Sequence, residues 1–271
     1  MEPGPAGHLT GASIVRWPAL AVGRCSGVVG VGQRSKNKPQ GELLKRAFFE
    51  APPERVARRL LGKVLARRSG AGWLAGRIVE VEAYLGPHGK TADPAAHSHR
   101  GPTPRNKVLF GPAGHAYVYF IYGMYSCMNV SCEREGHGGG VLIRALEPVA
   151  GLQQMARNRG LAPGVAAREL TSGPGRLCQA LGITRSADNG LDLLDPKSPL
   201  QLRDDGARAG RVLVTARIGI RHAAELPLRF AIAGNGCVSG PKSMGRAGIF
   251  PHSHSVTEPE PHNFAESAQK P

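Results

Sequence analysis

A change in hydrophobic period divides the central part of the chain. After Pro52-Pro53, apolar residues recur at helical spacing with arginines and a lysine between them, which predicts an amphipathic helix with a basic outer face. The apolar positions of this predicted helix are Val56, Leu60, Leu61, Val64 and Leu65. From Trp73 onward the period is two, which indicates a strand with side chains alternating between two faces.

The strand that begins near Trp73 carries two carboxylates. Alternation predicts one face made of Val79, Val81, Ala83 and Leu85, and an opposite face made of Ile78, Glu80, Glu82 and Tyr84. Glu82 and Tyr84 are then about 7 Å apart along one face. A glutamate, ionised at neutral pH, can deprotonate a water beside a bound ligand, and the pattern makes Glu80 an equal candidate. Surface carboxylates on a half-exposed strand are the competing interpretation.

Further runs of alternating or β-branched residues predict more strands. They cover residues 116–122, 128–131, 140–146, 212–220 and 228–233. Ser172-Gly173-Pro174 predicts the start of a helix and Gly182 its end. Several strands with few helices, in no regular alternation, predict an α+β fold with a largely antiparallel sheet and flanking helices in a single domain.

The two ends of the chain differ from its centre. Residues 1–43 are rich in Gly, Pro and Ser without sustained periodicity, and we expect a poorly ordered basic arm. Residues 243–271 offer little to bury, and we expect a disordered tail. The predicted folded domain is therefore 44–242.

The charge balance favours a polyanionic partner. The formal net charge is +15, and residues 1–75 hold 13 basic residues against four acidic ones. Such a field attracts nucleic acid, although a basic protein without a nucleic-acid role is also compatible with it. Five cysteines without a CxxC pair favour a reducing compartment. Without a secretory leader or a long apolar run, we expect a location in the cytoplasm beside the nucleoid, or in a eukaryotic nucleus, and no membrane partner.

Tyrosine is concentrated in one short stretch. All five tyrosines lie between positions 84 and 125: Tyr84, Tyr117, Tyr119, Tyr122 and Tyr125. A core strand rich in β-forming residues explains some of them, and a pocket that stacks a flat base explains them equally well. Strand alternation places Tyr117 and Tyr119 on one face and Tyr122 on the other.

Metal chemistry has weak support. His97, His99 and the nearby Asp93 offer an isolated HxH spacing, and Cys127, Cys132 and His137 fit no standard zinc pattern. We therefore expect no metal and no cofactor. The cationic loop 100–107 suits contacts to a phosphate backbone, or is simply a solvated polar loop.

Several motif blocks occur in one order along the chain. They are 77–87, His97, 103–106, 117–125, 127–129, 141–148, 172–181 and 227–230. Together, from about Leu43 to Ser239, they resemble the alkyladenine (3-methyladenine) DNA glycosylase family. The resemblance implies a monomeric, monofunctional enzyme of base excision repair that flips alkylated or deaminated purines, such as 3-methyladenine and hypoxanthine, out of double-stranded DNA and excises them without cleaving the strand.

The resemblance also implies residue roles. Glu82 matches the general base that activates a water, and Arg144 with the backbone carbonyl of Val238 matches the groups that hold that water. The segment around Val238 departs from the family pattern at Gly236, where proline is expected. Groups that enclose the flipped base match Tyr84, His97, Tyr119 and Asn129, of which Asn129 matches the residue that penalises the exocyclic amine of guanine.

On the DNA side, Tyr122 matches the side chain that a hairpin wedges into the duplex. Arg105, Asn106 and Met124 match contacts to the DNA backbone.

Three function classes stay in view: a glycosylase, a catalytically inactive nucleic-acid-binding module of the same fold, and a metal-assisted nuclease using Asp93, His97 and His99. The joint presence of Glu82, Arg144, Tyr84 and Tyr122 favours the first over the second, because a pure binding module does not need a carboxylate facing phosphates.

Overall fold

A computed structural model of the chain describes residues 39–240 except 71, 90, 92 and 122. This part of the chain contains nine strands: β1 (Glu42–Leu43), β2 (Val64–Ser69), β3 (Gly72–Tyr84), β4 (Ala116–Ile121), β5 (Tyr125–Cys132), β6 (Gly139–Ala150), β7 (Leu200–Asp204), β8 (Val212–Thr215) and β9 (Arg229–Ile232). The α-helices are α1 (Pro53–Leu60), α2 (Leu152–Asn158), α3 (Ala167–Thr171), α4 (Pro174–Leu181) and α5 (Arg185–Asp188).

All strands of the described residues belong to one antiparallel sheet. Its main order is β1-β7-β2-β3-β6-β5-β4, and β9 pairs with both β3 and β8. The long strand β3 lies at the centre, where β6 covers one edge while β2 and then β9 share the other. The prediction of a single α+β domain on a largely antiparallel sheet is confirmed.

The first helix is shorter than its predicted apolar stripe. Helix α1 ends at Leu60, and Gly62 follows with a left-handed φ of +85° while its N–H donates to the Ile78 carbonyl at 2.8 Å. Val64 and Leu65 therefore belong to β2, so the prediction that they continue the helix is wrong. The two residues are buried on the sheet, where apolar side chains at 64 and 65 face opposite sides.

A β-bulge breaks the predicted alternation of β3. Ile78 lies opposite Leu146 and Glu80 lies opposite Ala145, so Val79 is an extra residue between them. Ile78 consequently packs in the main core, whereas Val79 packs in a separate small cluster. The predicted faces are wrong at these two positions. The bulge re-aims the strand just before its two carboxylates.

Other boundaries decide where the site lies. Helix α4 runs from Pro174 to Leu181 and stops at Gly182 in a left-handed conformation, as predicted. The run predicted as a strand over 212–220 leaves the sheet after Thr215, because Arg217 turns its buried side chain into the protein interior. Residues 218–220 are thereby freed to form a wall of the cavity described below.

The boundary predicted for the N-terminal arm, at residue 43, lies too far along the chain. Glu42 and Leu43, which the predicted arm included, pair with β7 and belong to the sheet. Residues 1–38 and 241–271 lie outside the described residues, so the rest of the arm and the tail stay predictions. No helix of the described residues has the length and apolar character to cross a membrane.

Candidate active site

A cavity of about 340 Å³ opens where β3, β4, β5 and β6 meet two loops. Its size is in the range of pockets that enclose a small organic ligand. Strand residues form its floor, the loop 95–98 forms one side, and 218–220 form another. The lining includes Tyr84, His97, Tyr119, Asn129, Arg144 and Ile218.

Aromatic rings form one wall of this cavity. The ring centroids of His97 and Tyr119 are 4.6 Å apart in an edge-to-face arrangement, and Tyr117 stacks on Tyr119 at 5.3 Å. His97 Nδ1 lies 3.0 Å from the Tyr117 hydroxyl, which fixes the orientation of the imidazole. The predicted pocket residues Tyr84, His97 and Tyr119 are thus brought together, and Tyr117 supports them from behind.

The surroundings of these rings keep them neutral. Desolvation, aided by the positive charge of Arg105, lowers the pKa of His97. Burial is the main cause that raises the pKa of Tyr119 and of Tyr84, so both phenols stay protonated. The cavity therefore offers uncharged aromatic surfaces to a ligand.

Glu82 lies directly beneath the lining residues, with 0% exposure. Its Oε2 accepts a hydrogen bond from the Tyr84 hydroxyl at 3.0 Å and lies 3.2 Å from Arg144 Nη1. Its Oε1 accepts from the backbone N–H of Ile218 at 2.8 Å. All three partners line the cavity. One carboxylate is therefore held at the base of the pocket by the groups that form its walls.

Glu80, the other candidate, shares Arg144 with Glu82, but its remaining partners are different. Ser239 donates its backbone N–H to Oε2 at 2.6 Å and its hydroxyl to Oε1 at 2.8 Å, and Arg229 Nε donates to Oε1 at 2.7 Å. Burial opposes its ionisation, but Arg144 and Arg229 outweigh burial and lower the pKa of Glu80. Glu80 joins β3 to the end of the described chain. Neither carboxylate is itself a lining residue, but Ser239 and Arg229, unlike Tyr84 and Ile218, lie away from the cavity lining.

Arg144 connects the two carboxylates. Its Nε donates to Glu80 at 3.0 Å while its Nη1 faces Glu82. Burial opposes its charge, but Glu82 and Glu80 outweigh burial and raise the pKa of Arg144. A buried guanidinium between two carboxylates holds both at fixed positions.

Asn129 contributes an unused polar group. It is 5% exposed and lines the cavity, yet its Oδ1 has no hydrogen-bond partner within the described residues. Buried polar atoms are nearly always satisfied, so this oxygen is available to a water or a bound molecule.

For Val238, the predicted role of its backbone carbonyl in holding the water stays a prediction. Its carbonyl accepts a hydrogen bond from Arg168 Nη1 at 2.8 Å, and its side chain packs against Val79 in the small cluster, away from the cavity lining. The wall next to Glu82 includes Ile218, whose backbone N–H binds Glu82. Nothing in the local sequence pointed to Ile218, because it lies within the run predicted as a strand over 212–220 and binds a carboxylate 136 positions away.

Asn106 also requires a correction as a contact to the DNA backbone. Its side chain is buried and closes the loop before it: Oδ1 accepts from Thr103 N at 2.6 Å, and Nδ2 donates to the carbonyls of His97 and Gly101. The neighbouring Arg105 is exposed, and Met124 is 72% exposed at the turn of the β4–β5 hairpin. Tyr122 lies outside the described residues.

The set proposed for metal binding has other partners. Both Asp93 oxygens bind Arg217, at 2.7 and 2.8 Å, and His97 binds Tyr117. Across 39–240, the described residues contain no group of three or more His, Cys, Asp or Glu side chains that could hold a metal ion.

Comparison with known proteins identifies the class. A model of the methylpurine-DNA glycosylase family matches residues 47–236. A protein of Koribacter versatilis is 57% identical over 201 residues, which cover 74% of this chain and 95% of its own. Proteins of Methanoculleus marisnigri and Burkholderia lata are 50% and 49% identical, covering 72% and 74% of this chain and 98% and 93% of their own. All three bear the name "Putative 3-methyladenine DNA glycosylase".

The protein is a DNA glycosylase, an enzyme of DNA repair. More narrowly, the chain belongs to the methylpurine-DNA glycosylase family, which confirms the resemblance found in its motif blocks.

Proposed function

We propose that this enzyme flips an alkylated or deaminated purine, such as 3-methyladenine or hypoxanthine, out of duplex DNA and hydrolyses its bond to the sugar. The main support for this proposal is the position of Glu82, which Tyr84, Arg144 and Ile218 hold at the base of an aromatic cavity. A flipped base enters such a pocket edge first and stacks on flat rings. Its sugar then lies near the one carboxylate that the wall residues present.

The chemistry needs one base and one water. Glu82 takes a proton from a water molecule, whose oxygen attacks the sugar C1′ while the electron pair of the glycosidic bond leaves with the purine. Alkylation makes the purine a better leaving group. The transition state resembles an oxocarbenium ion, and the negative charge of Glu82 stabilises it. Arg144, which contacts the same Oε2, is placed to orient the water.

Base selection rests on the rest of the lining. Tyr84, His97 and Tyr119 supply stacking surfaces, and their neutrality suits a base that carries a positive charge after alkylation. Asn129 contributes the unpaired Oδ1 at the base edge. By resemblance to the family, the Asn129 side chain penalises the exocyclic amine of guanine; this penalty is steric, because a free Oδ1 would accept a hydrogen bond from an amine.

The β4–β5 hairpin is the proposed contact to the duplex. Met124 and Phe120 are exposed on it, and Arg105 lies on the neighbouring loop. We assign the wedge to Tyr122, by resemblance to the family, because a side chain that fills the vacated stack offsets the cost of flipping.

Strand cleavage is not part of the proposal. A lyase needs an amine that forms a Schiff base with the sugar. The described residues that line the cavity include no lysine. Hydrolysis therefore leaves an abasic site in an intact strand.

A single-turnover assay tests the function. Duplexes carrying 3-methyladenine, hypoxanthine or ethenoadenine, and an undamaged control, are incubated with excess enzyme, with and without a chelator. We expect alkali-dependent strand breaks from at least one lesion duplex, no breaks without alkali, and no effect of the chelator. Tight lesion binding without any base release would identify the binding module instead, and chelator-sensitive breaks would identify the nuclease.

A further inference from the structure

A buried ion pair lies behind the cavity and joins three of its walls. Arg217 and Asp93 form a two-pronged pair, with Nη1–Oδ2 at 2.7 Å and Nη2–Oδ1 at 2.8 Å, and both side chains have 0% exposure. Neither residue lines the cavity. Two charges buried away from solvent are costly, and a bidentate geometry with further hydrogen bonds is what offsets that cost.

The further hydrogen bonds of the pair reach each wall. Arg217 Nη1 donates to the Ala83 carbonyl at 3.0 Å, and Nη2 donates to the Ala223 carbonyl at 3.2 Å. Asp93 accepts from the N–H groups of Leu85 and Ala95 at 3.0 and 3.2 Å. The end of β3, the loop that leads to His97, and the segment 217–223 are therefore fastened at one point.

The same guanidinium acts on both partners of Glu82 that come from these walls. It lies over the Tyr84 ring, with Cζ 4.6 Å from the centroid, and the Tyr84 hydroxyl binds Glu82 Oε2. The next residue in the chain, Ile218, binds Glu82 Oε1 through its N–H. Each carboxylate oxygen of Glu82 is thus held by a group that Arg217 fixes.

We propose that the Arg217–Asp93 pair is a positioning element for Glu82, which it orients through Tyr84 on one oxygen and through Ile218 on the other. This inference rests on the proposed function, because it names how that same carboxylate is aimed. The pair acts on the hydrolytic step more than on capture of the lesion. A flat, two-pronged guanidinium is required, since lysine offers neither the fork nor the face.

The variants that test this role are Arg217→Lys, Arg217→Gln and Asp93→Asn. Single-turnover excision is measured over a range of enzyme concentrations. The series gives two separate quantities: the excision rate at saturating enzyme, and the enzyme concentration at which half of that rate is reached. A displacement of about 1 Å in a reacting group can cost about 10²-fold in rate. We therefore expect the saturating rate to fall by roughly 10- to 100-fold, more in Gln than in Lys. The half-saturating concentration should change less than the rate.

Arg77→Gln is the matched control. Arg77 forms a two-pronged ion pair with Asp205, at 3.0 and 2.7 Å. It lies on β3, the strand that carries Glu82, but away from the cavity lining. All assays run well below the thermal midpoint of each variant, which is measured in parallel. Arg77→Gln should lose stability and keep the saturating rate.

The outcomes separate the inference from the function itself. Excision by the wild-type protein establishes the function, and its absence removes the function regardless of the variants. With an active wild type, folded Arg217 and Asp93 variants that match Arg77→Gln in saturating rate overturn the positioning role. If Arg217→Gln does not fold, Arg217→Lys and Asp93→Asn decide by the same criterion.

Discussion

Ile218 donates its backbone N–H to the Glu82 carboxylate at 2.8 Å, although 136 positions separate them in the chain. The bond joins the central strand β3 to a segment that leaves the sheet after β8. A carboxylate at the end of a strand would otherwise be held from one side, by Tyr84 and Arg144. The geometry of the site thus depends on the long-range path of the chain.

Replacement of the general base should separate binding from chemistry. Glu82→Gln keeps the shape of the side chain but cannot take a proton from water. We expect the single-turnover excision rate to fall by about 10²- to 10⁴-fold, while affinity for a lesion duplex stays within a few-fold. A variant that releases base at the wild-type rate would remove Glu82 from this role.

Replacement of the neighbouring carboxylate, Glu80, should show its effect in the stability of the protein. Glu80→Gln leaves Arg144 and Arg229 buried beside a neutral amide. We expect the free energy of unfolding to fall by about 3–5 kcal/mol, the cost of breaking a buried ion pair from one side. Urea denaturation measures this loss, and an unchanged unfolding midpoint would contradict it.

Two adjacent residues of the cationic loop should differ in their response to salt. Arg105→Gln removes an exposed charge, so the slope of log affinity against log salt concentration should become shallower by about 0.9 if one phosphate contact is lost. Asn106→Ala should leave that slope unchanged and destabilise the loop by about 1–3 kcal/mol, because three backbone groups lose their partner. The reverse result would restore Asn106 as a phosphate contact.

The imidazole of His97 should titrate below its ordinary pKa of 6.5. Desolvation and Arg105 disfavour the charged form, so Arg105→Gln should raise the pKa of His97. Arg100→Gln, which changes another exposed arginine of the same loop, is the control. An NMR titration measures the pKa of the His97 ring, whose signals are assigned by comparison with His97→Gln. Equal pKa values of His97 in the two arginine variants would show that Arg105 does not lower it.

The lowered pKa of His97 also makes the stability of the folded protein depend on pH. Between the folded pKa and 6.5, the unfolded chain binds more protons at this residue than the folded protein does. The contribution of His97 is therefore complete above about 6.5 and is lost as the pH falls through its folded pKa. Its loss in His97→Gln should flatten that part of the stability curve.

Tyr122→Ser should weaken lesion binding and base flipping while the pocket stays folded. A smaller side chain cannot fill the vacated stack, so flipping loses part of its compensation. Fluorescence of 2-aminopurine beside the lesion reports flipping directly. Val214→Ser, which shortens an exposed apolar side chain on β8, is the control. Equal affinity and fluorescence in the two variants would assign the wedge to another residue.

The elements that could be predicted from the sequence are those governed by local pattern. The alternation in 116–121 and the Pro and Gly boundaries of α4 depend on neighbouring residues, and the structure has both. The choice between Glu80 and Glu82 could not be made this way. It came from motif resemblance, and the structure adds that two wall residues, Tyr84 and Ile218, bind Glu82 and not Glu80. Arg144 is the wall residue that both carboxylates share.

The errors have one physical origin. The bulge at Val79 depends on pairing with β6, and the inward turn of Arg217 depends on Asp93, which is 124 positions away. Asn106 reads as a polar loop residue until its three backbone partners are known. In each case the deciding contact is remote in sequence or made to the backbone, where residue type carries no signal.

The hydrogen bonds between Ser239 and Glu80 determine how far the chain can be truncated. The family match ends at residue 236, yet Ser239 supplies two of the hydrogen bonds that satisfy a carboxylate beneath the pocket. A fragment cut at the family boundary would leave Glu80 short of donors and loosen Arg144, which Glu80 shares with Glu82. The smallest active fragment should therefore extend through Ser239, and removal of the three buried residues 237–239 should lower the activity.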